Sequence, residues 1–310
     1  MALLAILQLL VLGPLASLID LASAPASNLY PFPLATTLHA ARVALAYKGR
    51  VKALGFDGAM KARGRGVEFA GFLVMCWGGS FITSFLQQTP PPQLLSPLPW
   101  VNYLSTYLFI TNPGIIALLP SPAILDTILP IIDGLTRSFP ISGAVLSTSN
   151  HSNPAIGSSL MFQLLLGGLS ASGGGLAATT LNVFNPEWRL CTPPILFSGL
   201  LGSLDFLAGA AAAGIFGFLT ASHPAYVPYI QAVRASAFGS DEKPTASHAL
   251  MTVLGARSVV VAFLAAVYAS RAFVLHWYPT MTSSEKSTGA VQQQNAQDAT
   301  RIVVEEKKRA

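Results

Sequence analysis

Long apolar runs, parted by short clusters of Pro, Gly or charge, set the terms on which this chain folds. They lie near residues 1–19, 31–47, 67–87, 100–120, 123–147, 155–183, 193–220 and 248–278. A backbone placed in lipid must satisfy its own N–H and C=O groups, so runs of this kind resolve into α-helices. Charge is correspondingly scarce. Of 310 residues, 10% are Asp, Glu, Lys or Arg and 52% are hydrophobic, with a mean hydropathy of +0.55. A soluble domain carries about a quarter charged residues, so the expected fold class is all-α, a polytopic membrane helix bundle.

The seven runs from residue 31 onward are the firm spans. Met1–Ile19 stays open between a signal peptide, an interfacial helix and an extra span: it lacks a basic leader, yet residues 21–24 (Leu-Ala-Ser-Ala) resemble a cleavage site. Arg42, inside the 31–47 run, has a stem long enough to snorkel to the interface. Residues 279–310 are Gln-rich and charged, and read as a disordered tail.

The chain also repeats itself. Gly78-Gly79 recurs 96 residues on as Gly174-Gly175, and at the same spacing Gly71 matches Gly167, Thr83 matches Thr179, and Ser84 matches Thr180. Beyond the helix, Pro90, Leu94, Ser96 and Pro97 match Pro186, Leu190, Thr192 and Pro193. The two copies start three spans apart, an odd number, and consecutive spans alternate in direction. They therefore cross in opposite senses, as a three-plus-three inverted repeat with one further span. The organisation expected is an N-terminal apolar segment at 1–29, a first three-helix repeat at 30–120, a second at 121–220, a loop and last span at 221–278, and the tail at 279–310.

Basic residues fix an orientation. Lys48, Arg50, Lys52, Lys61, Arg63 and Arg65 share one loop, whereas the loops at 88–99 and 148–154 contain no Lys or Arg. By the positive-inside rule the 48–65 loop and the tail, with Arg301, Lys307, Lys308 and Arg309, face the cytoplasm. Beside hydrophobic spans such a cluster points to anionic lipid and away from nucleic acid. The Asn150-His151-Ser152 glycosylation sequon falls on the opposite side.

Two residue sets carry candidate chemistry. Gly78, Gly79, Gly173, Gly174 and Gly175 either admit close helix packing or kink their helices beside a pathway. Ser80, Thr83, Ser84, Thr179, Thr180 and Asn182 lie near them, and such groups can replace part of a cation's hydration shell or simply back-bond to their own helices. Ionisable residues inside spans default to function. Asp133 and Arg137, four apart, share a face and are positioned to pair, and Asp205 with Arg257 form a candidate structural ion pair. Arg271, His276, Trp277 and Tyr278 read as interfacial anchors. Cys76 and Cys191 fit neither a metal site nor a disulfide framework, and no nucleophile motif, metal triad or phosphate loop is present in the sequence. No cofactor and no enzymatic role is expected.

Residues 75–86 (Met-Cys-Trp-Gly-Gly-Ser-Phe-Ile-Thr-Ser-Phe-Leu), followed by Pro90-Pro91, resemble the second span of the trimeric intracellular cation (TRIC) channel family. Gly173-Gly174-Gly175, with Pro186 and Trp188 downstream, resembles the fifth, and the likeness extends over roughly residues 30–278. It implies a homotrimer in the endoplasmic reticulum or a related membrane, each subunit with its own pore for monovalent cations, chiefly potassium, lined by two glycine-kinked helices. The animal members' lipid-binding Lys-Glu-Val-x-Arg motif is reduced here to Asp133-Gly-Leu-Thr-Arg137, where only Arg137 matches as a contact for anionic lipid. The acidic residue after the first glycine pair is replaced by Ser84. Alternatives to the channel are an inverted-repeat carrier for a small solute and a non-conducting membrane organiser.

Overall fold

A computed structural model describes residues 8–25, 27, 30–197, 199–238 and 249–278. The expected tail, 279–310, lies outside them. The described residues form helices joined by loops, with one isolated bridge between Pro25 and Pro33. The main helices are α1 (Gly13–Ser23), α2 (Leu34–Ala53), α3 (Arg65–Leu86), α4 (Leu98–Ile110), α5 (Pro130–Ser149), α6 (Leu160–Thr180), α7 (Gly199–Thr220), α8 (Val227–Phe238) and α9 (Val253–Ala272).

Local chemistry explains their limits. Side chains cap the starts of α6 and α9: Ser159 accepts from the Phe162 N–H, and Thr252 from the Gly255 N–H. The chain leaves α3, α6 and α7 through residues with positive φ, namely Gln88 (55°), Asn182 (50°) and Ala221 (52°). A left-handed residue there turns the backbone out of the helix, as it does at many helix ends. α9 continues into a π-helical turn, Phe273–Trp277.

Among the described residues, four helical segments are long and apolar enough to cross a membrane: Arg65–Leu86, Leu160–Thr180, Gly199–Thr220 and Val253–Trp277. Their outer faces carry large exposed apolar side chains such as Phe85, Leu200, Leu207 and Val274. An all-helical integral membrane protein accounts for both. The 100–120 run is not one helix. α4 stops at Ile110, and the Asn112 side chain accepts from the Gly114 N–H to start a separate short helix, Pro113–Leu118. The 123–147 run is likewise split between Pro122–Ile128 and α5, because Pro130 opens a new helix. The expected 221–247 loop contains α8, a helix unannounced by any long apolar run.

α5 is the hub, packing against α9, α6, α7 and α2. α6 packs on both α3 and α7. Three apolar cores result. One gathers Tyr47, Phe72, Trp77, Tyr103 and Tyr107 in the first half, and a second gathers Ile141, Ala212, Ala213, Phe216 and Leu264 in the second half. The third joins Ile19 and Ala22 of α1 to Ala35, Leu135 and Val261. The N-terminal apolar segment is therefore built into the bundle through α1.

The two repeat helices run antiparallel. At one end Arg63, just before α3, pairs with Glu187, just after α6, at 2.8 Å. At the other, the His151 ring lies 3.1 Å from the carbonyl of Gln87, beside the Gln87 amide that donates to Ser147 at 2.7 Å.

Candidate functional site: a cavity at the crossing of α3 and α6

Where α3 and α6 cross, side chains give way to backbone. A Cβ placed on Gly78 would lie 2.6 Å from Ala177 Cβ, and one on Gly79 3.0 Å from the Leu169 carbonyl. On the facing helix, a Cβ on Gly173 would stand 2.6 Å from Gly79 Cα, and one on Gly174 would collide with the Met75 carbonyl. Four of the five candidate glycines thus permit contact between helices. Gly175 differs, since a Cβ there meets nothing within 4 Å. Both helices are continuous α-helix through their glycines, so neither is broken at this point.

Beside the crossing lies a cavity of about 950 Å³. Gly79, Ser80, Thr83, Ser84, Gly174 and Gly175 line it, whereas Gly78, Gly173, Thr179 and Thr180 do not. Several candidate hydroxyls are already engaged. Thr83 donates to the Gly79 carbonyl at 2.9 Å, Thr179 to the Gly175 carbonyl at 2.8 Å, and Ser80 to Gln93 Oε1 at 3.2 Å. The two threonines follow the back-bonded reading.

Charged side chains line the cavity as well. Arg42, Arg137, Arg257 and Arg271 line the cavity with Asp133 and Asp205. Their pairing corrects both expected pairs. Asp133 is not bound to Arg137: it takes the Arg42 Nε at 3.0 Å, while Arg42 Nη2 reaches Asp126 at 2.7 Å. Arg42 does not snorkel, because those two carboxylates hold it among the helices. Asp205 is not bound to Arg257: it sits between Arg137 at 3.1 Å and Arg271 at 2.9 Å. Both guanidinium groups of that cluster also lie over the Tyr268 ring, at 4.7 and 4.9 Å from its centroid.

Arg137 is consequently turned inward, and its Nη1 also donates to the Ala171 carbonyl at 2.8 Å. Arg271 serves the bundle interior instead of the interface. His276 reaches Asp126 at 3.1 Å, and Trp277 Nε1 donates to Thr127 at 3.0 Å, tying the end of α9 to the short Pro122–Ile128 helix. Arg257 stands apart. Its Nε donates to the Ser142 hydroxyl at 3.0 Å and its guanidinium covers the Phe139 ring at 4.8 Å.

Sequence reasoning passed over His39, Gln87 and Gln93 as lining residues and misjudged Arg42 and Arg271. A signal for Arg42 was present, since it is an arginine inside an apolar run. Nothing local marks Gln93, which reaches the cavity from the short Pro92–Leu95 helix that follows α3.

Outside the apolar helices, the basic 48–65 segment is held by ion pairs. Lys48 bridges Asp57 at 3.4 Å and Glu68 at 2.8 Å, and Asp57 also takes Lys61 at 2.6 Å. The hydrogen bond from Lys61 is the main reason the Asp57 carboxyl is held below its ordinary value of 3.8; partial burial opposes it and Lys48 adds to it. Among the described residues no cluster of three or more His, Cys, Asp or Glu is arranged to hold a metal ion. Comparison of the chain with known protein families, with curated proteins and with solved structures finds no match.

Proposed function

We propose that this protein is a channel for monovalent cations, chiefly potassium, in an endoplasmic-reticulum or related membrane, and that ions pass through the cavity beside the α3–α6 crossing. The observation that carries the reading is the cavity itself. A space of about 950 Å³, walled by apolar side chains with charged and hydroxyl groups among them, sits beside two antiparallel copies of one glycine-centred helix, bordered by Ser80, Thr83 and Ser84 and by backbone at Gly79, Gly174 and Gly175. Hydroxyl oxygens of this kind substitute for part of an ion's hydration shell. Paired elements in two inverted halves are where membrane transport proteins place their paths.

In this reading α2, α4 and α5 complete seven crossings of a three-plus-three inverted repeat plus one. α2 and α5 tolerate Arg42, Asp133 and Arg137 because Arg42 pairs with Asp133, Arg137 pairs with Asp205, and all line the cavity, so that lipid is kept from them. The likeness of residues 75–86 and 173–175 to the TRIC family supplies the homotrimer, with one pore in each subunit. The Lys48–Arg65 segment and the tail then face the cytoplasm and meet anionic lipid.

Four arginines around the cavity favour a second reading, a carrier for a small anionic solute. Purified protein in planar bilayers separates the two. Unitary potassium current steps are expected of the channel. Saturable uptake without steps would establish the carrier, and neither would leave a membrane organiser.

A further inference from the structure

The ion pairs around the cavity leave one charge over. Arg42 faces two carboxylates, Asp133 and Asp126. Arg137 and Arg271 share one, Asp205. Both clusters are paired internally, and Asp126 also takes the His276 ring at 3.1 Å. Arg257 remains, with no carboxylate within ion-pair distance among the described residues. An uncompensated arginine on the wall of a cavity in a membrane protein is costly, and a charge of this kind marks a functional site by default.

Its setting is also built for a ligand. Ser142 takes the Nε–H of Arg257, and that hydroxyl in turn donates to the Phe139 carbonyl at 3.1 Å, while the Phe139 ring lies against the guanidinium plane. The serine and the ring fix the orientation of the group. They use its Nε and one face, and leave the paired Nη1 and Nη2 groups with no acceptor among the described residues. Two parallel N–H groups at the end of a fixed guanidinium match two oxygens of a carboxylate or phosphate. We propose that Arg257, positioned by Ser142 and Phe139, is the binding site in this cavity for a small oxyanion, a phosphate or carboxylate group. The site stands apart from the question of conduction, because it concerns what occupies the cavity wall and is read by binding.

The test uses the full chain in maltoside detergent, which brings no phosphate, and measures equilibrium binding of radiolabelled inorganic phosphate. One saturable site per chain is expected, competed by acetate and only weakly by chloride. Arg257→Gln should weaken it at least tenfold, and Ser142→Ala, which frees the guanidinium to rotate, by a smaller factor. Thermal melting in the same detergent checks that each variant folds. If Arg257→Gln does not fold, Arg257→Lys decides: it keeps the charge but loses the fork, so phosphate binding should still fall. Phosphatidic acid added to the wild type distinguishes the source. Displacement of phosphate identifies a lipid headgroup as an occupant, and no displacement a soluble anion. Absence of saturable phosphate binding, or undiminished binding by a folded Arg257→Gln protein, overturns the site.

Discussion

The two halves share a sequence repeat but hold their helices together by different means. In the second half, α6 and α7 meet through small residues. A Cβ on Gly167 would collide with Ala213 Cβ, and one on Gly209 would stand 2.5 Å from Ala171 Cβ and 2.8 Å from the Gly167 carbonyl. In the first half, Gly71, the repeat partner of Gly167, faces a side chain, with the Tyr47 hydroxyl 2.5 Å from an added Cβ. There the packing is aromatic: Phe72 and Tyr107 rings lie 4.8 Å apart, and Trp77 and Tyr103 rings 5.2 Å apart. Polar groups reinforce it, since Glu68 takes both Lys48 at 2.8 Å and Tyr107 at 3.3 Å. Close approach of backbones tolerates no added atom, whereas side-chain packing yields by rotation. The same glycine therefore has different worth in its two copies.

The largest effect expected from this contrast is at Gly167. Gly167→Leu must separate α6 from α7, because both sides of the contact are backbone or Cβ, and should cost at least about 3 kcal/mol, toward the upper end for overpacking. Monodispersity and melting temperature of detergent-purified protein measure it. Next is Lys48→Met, which leaves Glu68 with only the Tyr107 hydroxyl and should cost about 2–3 kcal/mol, below the loss for a fully isolated buried carboxylate. Adding Glu68→Met should recover most of that stability. Gly71→Ala should be milder, about 1 kcal/mol, the scale of the Tyr47–Val183 hydrogen bond it would disturb. If Gly71→Ala proved as damaging as Gly167→Leu, the contrast between the halves would be wrong.

The smallest effect is a pH dependence at Asp57. Its folded-state carboxyl is held below the ordinary value of 3.8, chiefly by the Lys61 hydrogen bond. The stability this contributes is present above that ordinary value and is lost as pH falls through the lowered one. Its exposure to solvent screens the pair, so the change is small. Comparing acid melting of wild type and Asp57→Asn below about pH 4 should show a slightly shallower decline in the variant.

Helix content was legible in the sequence, because apolar run length is a local signal that membranes convert directly into structure; glycine spacing marked Gly78-Gly79 and Gly173-Gly174 but left packing and pathway open, and did not say that the two clusters meet each other. The ion pairs were not. Asp133 and Arg137 share a helical face, yet the long Arg137 side chain is drawn to Asp205 on α7 while Asp133 is claimed by Arg42 on α2. Partners 66 to 91 residues apart leave no periodic trace. Run length alone also hid the Asn112-Pro113 break, where capping chemistry ended a helix that hydrophobicity would have continued. Gly175 was indistinguishable from Gly174 in sequence, but one faces the Met75 backbone and the other open space.

That last difference allows the proposed path to be tested without disturbing the helix crossing. Gly175 lines the cavity and has room for a side chain, and leucine favours a helix more than glycine does. Potassium flux into liposomes should be measured for Gly175→Leu beside wild type, with oligomeric state and melting temperature taken on the same preparations. If the cavity is the ion path, the variant assembles and melts like wild type while its flux falls to that of protein-free liposomes. Wild-type flux through a correctly assembled Gly175→Leu protein would contradict the path.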